Sequence, residues 1–95
     1  MTRKELANIH KALSNENRLE IFLSILEREE KSFDTCPCLV STIMDKLCIG
    51  APTISHHLKE LVSAGLIETT RNGKFLLARV NRKTLEELKN EFNFK

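Results

Sequence analysis

Residues 41–67, with the sequence STIMDKLCIGAPTISHHLKELVSAGLI, constrain the fold more than any other part of the chain. Apolar residues recur there at helical spacing in two short runs, which predicts two amphipathic helices. The runs consist of Val40, Ile43, Met44 and Leu47, and then of Ile54, Leu58, Leu61 and Val62. Between them, Gly50 can end one helix and Pro52 suits the first turn of the next. Two helices joined by so short a turn are typical of the helix-turn-helix motif.

Two further helices are predicted before this motif. The first covers residues 3–13, and its apolar stripe consists of Leu6, Ile9 and Leu13. The second runs from Asn15 to about residue 30, with Ser14 as its N-cap. Its apolar face is too wide for a surface helix, which predicts the central core helix. That face carries Leu19, Phe22, Leu23 and Leu26, with Ile21 and Ile25 beside them.

A β-hairpin and a last helix are predicted after the motif. Gly65 ends the second motif helix, and Asn72-Gly73 within residues 66–80 is the strongest two-residue hairpin signal. A turn there pairs Thr70 with Phe75, Thr69 with Leu76 and Ile67 with Ala78. The face that would cover the core carries Ile67, Leu76, Ala78 and Val80. Residues 83–92 form a short helix whose stripe consists of Leu85, Leu88 and Phe92.

The segment before the motif, residues 32–39 with the sequence SFDTCPCL, allows two interpretations. Cys36-Pro37 could start the next helix early, because proline is tolerated at the first helical position. Alternatively, the segment is extended and that helix starts near Ser41. We favour an extended conformation for residues 32–36.

Composition is that of an ordinary globular protein, with 41% hydrophobic and 29% charged residues in a chain of 95. We expect a single domain over residues 1–95. The sequence has neither a long apolar run nor a signal-peptide pattern, so we expect a cytoplasmic protein without a membrane span. Three cysteines in that setting favour structural, redox-active or metal-binding thiols over disulfides. A net charge of +2 does not by itself predict nucleic acid binding.

The order of elements predicts a mainly α (α+β) winged helix-turn-helix fold, with about five helices and a two-stranded wing. In such folds the second motif helix enters the major groove of double-stranded DNA. At about 100° per residue, His56 should face outward and His57 should lie on the flank. Candidate contacts on the helix are Thr53, Ser55, His56 and Lys59, and candidates in the wing are Arg71, Asn72, Gly73 and Lys74.

Four stretches resemble the ArsR/SmtB family of winged-helix repressors. They are residues 12–21 (ALSNENRLEI), 52–61 (PTISHHLKEL) and 64–67 (AGLI), and the dipeptide Gly73-Lys74. The resemblance implies a homodimer on an inverted-repeat operator, which an inducer releases. It also implies that the first and last helices form the dimer interface, with which their apolar stripes agree. The interface residues would be Leu6, Ile9, Leu13, Leu85, Leu88 and Phe92.

The cysteines do not by themselves identify the inducer to which the protein would respond. Many members of the family sense metals or metalloids through a Cys-x-Cys pair, and this chain has Cys36-Pro37-Cys38. The pair could bind a soft ion such as arsenite or zinc with further ligands, could be oxidised, or could have no sensing role and no cofactor. Cys48 is a poor third ligand, because ten residues of helix span about 15 Å. The last helix contains no His or Cys, so the family's other common metal site is largely absent.

Two other classes of function are alternatives to DNA binding. A winged helix can also serve as a protein–protein interaction module, and salt-insensitive or absent duplex binding would favour that alternative. An enzyme is not expected. The chain shows no arrangement typical of nucleophilic catalysis, no phosphate-binding Gly-rich loop and only three glycines.

Overall fold

The structure is a computed structural model, and it describes residues 1–31, 38–39, 50–73 and 75–92. Over these ranges it contains four α-helices and three β-strands. In chain order they are α1 (Arg3–Leu13), α2 (Glu16–Lys31), β1 (Cys38–Leu39), α3 (Ala51–Ser63), β2 (Ile67–Asn72), β3 (Phe75–Val80) and α4 (Arg82–Glu91). The prediction of a mainly helical chain with a β-hairpin is confirmed. The first motif helix, expected from Ser41, lies outside the described residues.

The boundary between α1 and α2 differs by one residue from the prediction. Ser14 is the C-cap of α1, and its hydroxyl donates a hydrogen bond to the carbonyl of Lys11 at 2.7 Å. Asn15 instead caps α2 from the position before its first residue, since its Oδ1 accepts a hydrogen bond from the amide of Arg18 at 3.1 Å. Asn and Ser are about equally good N-caps, so the sequence did not separate these neighbours.

The hydrophobic core lies between α1, α2, α3 and the inner face of the sheet. On α2, Ile21, Phe22 and Ile25 are buried, as predicted for the central helix. Leu19 and Leu23 were wrongly assigned to the core, because they are 37% and 44% exposed. A helix buries only the sector that faces its neighbours, and the apolar face of α2 is wider than that sector.

Two predictions concern the last turn of α3: the predicted burial of Val62 is wrong, and the predicted helix end at Gly65 is confirmed. Val62 is 40% exposed rather than buried, although Leu61 beside it is fully buried. Gly65 ends the helix as predicted, with φ +79°. Its N–H donates to the Val62 carbonyl at 2.9 Å, and the Leu66 N–H donates to the Leu61 carbonyl at 3.1 Å. This pair of bonds, with apolar contact between the two buried leucines, is a Schellman motif that leads directly into β2.

The hairpin is present in a register different from the predicted one. Thr69 pairs with Ala78 rather than Leu76, and Asn72 pairs with Phe75. The strands are therefore connected through residues 73–74, and Gly73, with φ +63°, fits the first central position of a primed turn. The shift is two residues, the side-chain period of a strand, so the inner face is unchanged. Ile67, Ala78 and Val80 are buried on it and Leu76 packs against the core, as predicted.

A third strand was not predicted. β1 pairs antiparallel with β3, so that Cys38 lies opposite Ala78 and Leu39 opposite Leu77, and the sheet order is β1-β3-β2. This extended backbone contradicts a helix that would start at Cys36-Pro37 and continue through these residues. Residues 32–37 lie outside the described ranges, so the expectation of an extended segment there stays a prediction.

The last helix begins one residue earlier than predicted. Asn81 is its N-cap, with Oδ1 accepting a hydrogen bond from the Thr84 amide at 3.3 Å. The Asn81 N–H donates to the Leu66 carbonyl at 2.9 Å, which connects the start of α4 to the residue directly before β2. At the other end, the ring of Phe92 meets the ring of His10 edge-on, with centroids 5.5 Å apart. None of the described helices is long and apolar enough to cross a membrane.

Candidate nucleic-acid interface

The outer face of α3 is polar and accessible. Ile54, Leu58 and Leu61 are at most 4% exposed and fix the helix on the core. His56 is exposed and His57 is only 6% exposed, so the predicted separation of the two histidines is confirmed. The predicted base and phosphate contacts on this helix are all exposed: Thr53, Ser55, His56 and Lys59. The face can therefore present hydroxyl, imidazole and ammonium groups to a duplex.

The N-terminus of α3 adds a feature that sequence reasoning missed. Gly50 is the N-cap, in an extended conformation and without a side-chain hydrogen bond to the first turn. The first intrahelical bond runs from the Ile54 N–H to the Gly50 carbonyl at 3.1 Å. Gly50 has no side chain that could accept a hydrogen bond from the amides of the first turn, so the described part of the chain provides no side-chain cap for the positive end of the helix dipole. Phosphate oxygens are acceptors that can bind at such a helix end.

The wing lies beside this helix, because β2 packs against α3. Arg71 is exposed near the tip of β2 and shares a strand face with Thr69 and Ile67. That face is the one on which the helices pack, so the Arg71 side chain lies on the α3 side of the sheet. Gly73 is exposed in the turn, only the backbone of Asn72 is described, and Lys74 lies outside the described residues.

His57 makes a contact across the core that the sequence did not predict. Nε of Arg18, in the first turn of α2, donates a long hydrogen bond of 3.5 Å to Nδ1 of His57. Burial lowers the pKa of His57 below its ordinary value of 6.5, and the charges of Arg18 and His56 lower it further. The lowered pKa favours the neutral imidazole, and only an unprotonated Nδ1 can accept this hydrogen bond. The two residues are 39 positions apart, and no local pattern connects them.

The predicted interface residues on the two terminal helices fall into two groups according to their exposure in a single chain. Ile9 is 1% exposed within a single chain and belongs to the core of the protomer. The others are accessible in part or in full: Leu6, Leu13, Leu85 and Leu88 are half-buried, and Phe92 is 52% exposed. Only these could contact a second chain directly.

A metal centre is not formed by the described part of the chain. Among those residues there is no group of three or more His, Cys, Asp or Glu side chains that could hold an ion. Cys36 and Cys48 lie outside the described ranges, and Cys38 is described only by its backbone in β1. The predicted thiol site therefore stays a prediction.

A helix with a polar outer face, packed with α1 and α2 around one core and flanked by a hairpin, is the arrangement of a winged helix-turn-helix DNA-binding protein. Comparison with known proteins gives the family. The sequence model of the arsR family of bacterial regulatory proteins matches residues 15–69, and the chain belongs to that family.

Individual relatives agree with this assignment. The chain is 36% identical over 86 residues to the arsenical resistance operon repressor of Staphylococcus xylosus, covering 90% of this chain and 75% of that protein. It is 33% identical over 93 residues to the protein of the same description from Staphylococcus aureus, with coverages of 98% and 82%. Among solved structures, an ArsR-like transcriptional regulator from Rhodococcus sp. RHA1 superimposes with a TM-score of 0.72 at 25% identity, over 93% of this chain and 76% of that one.

Proposed function

We propose that this arsR-family protein is a dimeric transcriptional repressor that reads an inverted-repeat operator and releases it in response to a thiol-binding or thiol-reactive signal. The observation that carries the DNA-reading part is the outer face of α3, where exposed hydrogen-bonding side chains lie beside an uncapped helix N-terminus. The two staphylococcal relatives are described as operon repressors, which supports the regulatory role. Its target, the bacterial chromosome, lies in the cytoplasm, so we propose that it acts there.

Each exposed group on α3 and the wing has a distinct proposed task. Thr53, Ser55 and His56 donate hydrogen bonds to base edges or nearby phosphates, since they lie at the N-terminal half of the helix. Lys59 is a phosphate contact. Arg71 and Lys74 in the wing contact the backbone or the minor groove.

The DNA-reading proposal is tested by comparing His56→Ala with Lys59→Ala on a selected duplex and on a scrambled duplex of equal length. The selected duplex is the one that the wild-type protein enriches from a random library. His56→Ala should lower affinity for the selected duplex by about 1–3 kcal/mol and leave scrambled binding nearly unchanged. Lys59→Ala should weaken both about equally and reduce the salt slope by about one.

Two results would count against this proposal. An unchanged ratio of selected to scrambled affinity in His56→Ala would show that α3 does not present this face to bases. Absent or salt-insensitive binding of the wild-type protein to any duplex would favour the protein–protein interaction module instead.

The dimer is proposed from the terminal helices. Leu6 on α1 and Phe92 at the end of α4 leave apolar surface accessible in a single chain, and the His10–Phe92 ring contact places the end of α4 against α1, four residues after Leu6. A second copy that covers both would bury this surface. Sedimentation velocity at micromolar concentrations should show a dimer that Leu6→Glu dissociates. A wild-type protein that sediments as a monomer and still binds the selected duplex would contradict the proposal.

The signal is proposed to act on Cys36 and Cys38. Two thiolates separated by one residue suit a soft ion such as arsenite or zinc with one or two more ligands, and they also suit oxidation to a disulfide. The description of both staphylococcal relatives as arsenical resistance repressors favours arsenite as the first candidate. Two other possibilities remain as outcomes of the test: a redox pair, and loop cysteines without a sensing role.

A double Cys36→Ser, Cys38→Ser variant tests this part, with Cys48→Ser as its matched control. The protein–duplex complex is titrated with arsenite, with zinc and with a mild oxidant, and release is followed by fluorescence anisotropy. The double variant should bind DNA normally and not be released, whereas Cys48→Ser should respond like the wild type. Release by the oxidant alone would identify a redox pair. A double variant that still responds would remove the sensing role.

A further inference from the structure

The contact between Arg18 and His57 joins the central helix to the DNA-reading helix through polar atoms in a part-buried position. We propose that Arg18 is a positioning residue for operator reading, which holds the rotation of α3 by its hydrogen bond to His57. This inference rests on the proposed operator binding and deepens it, since it names a residue that sets selectivity without contacting a base.

Arg18 lies at the start of α2, where that helix approaches α1 and α3. Its backbone amide donates to Oδ1 of Asn15 at 3.1 Å, which fixes it in the first turn of α2. Its half-buried side chain reaches the region where three helices meet, since it lines a shallow pocket of about 200 Å³ together with Lys11 of α1 and Glu60 of α3. A guanidinium so placed can transmit the position of α2 to α3.

The apolar contacts of α3 set which face of the helix points inward, but they define its rotation only coarsely. Ile54, Leu58 and Leu61 exclude water, but hydrophobic burial has no directional preference. A hydrogen bond does, and the bond from Arg18 to His57, at 3.5 Å, is longer than the optimum of about 2.7–3.2 Å and therefore restrains α3 less than an ideal bond would. His57 precedes the buried Leu58 and lies at the edge of the apolar stripe, where a directional contact limits rotation of the helix most effectively.

The effect of a small rotation on DNA reading is large. A side chain on a helix lies about 5–6 Å from its axis, so a rotation of about 20° moves its tip by about 2 Å. A base contact has a donor–acceptor distance of about 2.7–3.2 Å, which such a movement breaks. His56 directly precedes His57 in the chain, and the two rings are 5.9 Å apart, so holding His57 also holds the direction of His56.

The protonation state of the pair agrees with this role. Arg18 cannot act as an acceptor, so the bond needs an unprotonated Nδ1 on His57. Burial and the neighbouring guanidinium lower the pKa of His57, which keeps the imidazole neutral at physiological pH. The same guanidinium thus provides the hydrogen bond and favours the neutral form of the imidazole that can accept it.

A double-mutant cycle tests the proposal on the selected and scrambled duplexes. The variants are Arg18→Met, His57→Leu and their combination. Each single change should lower affinity for the selected duplex by about tenfold, within the range of couplings between contacting side chains. The combined variant should bind the selected duplex at least as tightly as the single variant that shows the larger loss of affinity. Affinity for the scrambled duplex and the salt slope should remain at the wild-type values.

Three results would overturn the positioning role. Equal losses on both duplexes with a salt slope smaller by about one would show that Arg18 contacts phosphate directly. Additive losses in the combined variant would show that the two residues act independently. Single variants with wild-type selectivity would show that the hydrogen bond does not matter. A wild-type protein that selects no duplex would instead refute the proposed function, and this inference with it.

Arg18→Lys keeps the experiment decisive if Arg18→Met does not fold. It retains the positive charge and most of the side-chain length but lacks the Nε–H donor and the planar fork. With far-UV circular dichroism confirming a folded protein, it should keep wild-type affinity for the scrambled duplex and show the tenfold loss on the selected one. Full recovery of selective binding by lysine would show that positive charge alone suffices, and would overturn the proposal.

Discussion

Replacement of Gly65 by alanine should destabilise the protein by about 1 kcal/mol, and the structure shows where that energy comes from. Gly65 has φ +79°, in the left-handed region, and connects α3 to β2 through the Schellman bonds. An L-residue in that region costs about 1–2 kcal/mol relative to glycine. The added Cβ would lie 3.8 Å from Oγ1 of Thr84, an ordinary contact that adds no steric penalty. Alanine also restricts the unfolded chain, which offsets about 0.4–1 kcal/mol.

Gly50→Ala is the matched control for this change. Gly50 has φ −64°, and within the described residues a Cβ there would approach nothing closer than Cδ of Pro52 at 3.9 Å. Alanine is a poorer N-cap than glycine, but it also restricts the unfolded chain, so these small effects oppose each other. We expect a net change within about 0.5 kcal/mol of zero. The two variants therefore carry the same substitution at opposite signs of φ.

Thermal unfolding followed by circular dichroism measures both variants. In a chain of this size, 1 kcal/mol shifts the midpoint by about 4–8 °C, so Gly65→Ala should melt lower by that amount and Gly50→Ala should not. Asparagine tolerates the left-handed region, so Gly65→Asn should recover part of the loss. Equal midpoints for the two alanine variants would falsify the backbone argument. A Gly65→Asn variant as unstable as Gly65→Ala would point to side-chain contact rather than φ.

Two further predictions concern buried polar side chains. Ser24 is 4% exposed and its hydroxyl has no hydrogen-bond partner in the described part of the chain, so Ser24→Ala should stabilise by about 1–2 kcal/mol in urea unfolding. The exposed control Ser55→Ala should gain only about 0.5 kcal/mol from helix propensity, and equal gains would contradict the burial argument. The pKa of His57 is lowered on folding, so the unfolded chain binds more protons and stability should fall as the pH drops below about 6.5. His57→Gln should lose this part of the pH dependence, the exposed control His56→Gln should retain it, and identical profiles for both would remove His57 as the cause.

Local patterns predicted those parts of the fold that depend on nearby residues. The rotation of α3 followed from apolar residues at Ile54, Leu58 and Leu61, which cover one narrow face. The end of that helix followed from Gly65, because few other residues adopt its φ. The same reasoning failed for Leu19 and Leu23, because α2 carries more apolar residues than its neighbours can cover, and periodicity does not show which of them remain outside.

Pairing between distant segments could not be predicted in the same way. The signal at Asn72-Gly73 located the hairpin but not its register, since a shift of two residues keeps the same inner face. β1 exists only because Cys38 and Leu39 lie against β3, and two residues carry no detectable strand pattern of their own. Likewise, the sequence identified a Cys-x-Cys pair but gave no sign that part of it joins the sheet that forms the wing.

The position of His57 shows why sequence pattern and tertiary contact have to be considered together. A histidine at the edge of an apolar helix face becomes partly buried on folding. Burial of its polar nitrogen atoms lowers stability unless a hydrogen-bond partner replaces the lost water. Arg18 is that partner, and it comes from a helix whose own sequence pattern gives no reason for an arginine in a part-buried position. A leucine at position 57 would bury more favourably but would provide no directional bond. The polar pair is therefore better explained by a need for orientation of α3 than by a need for stability.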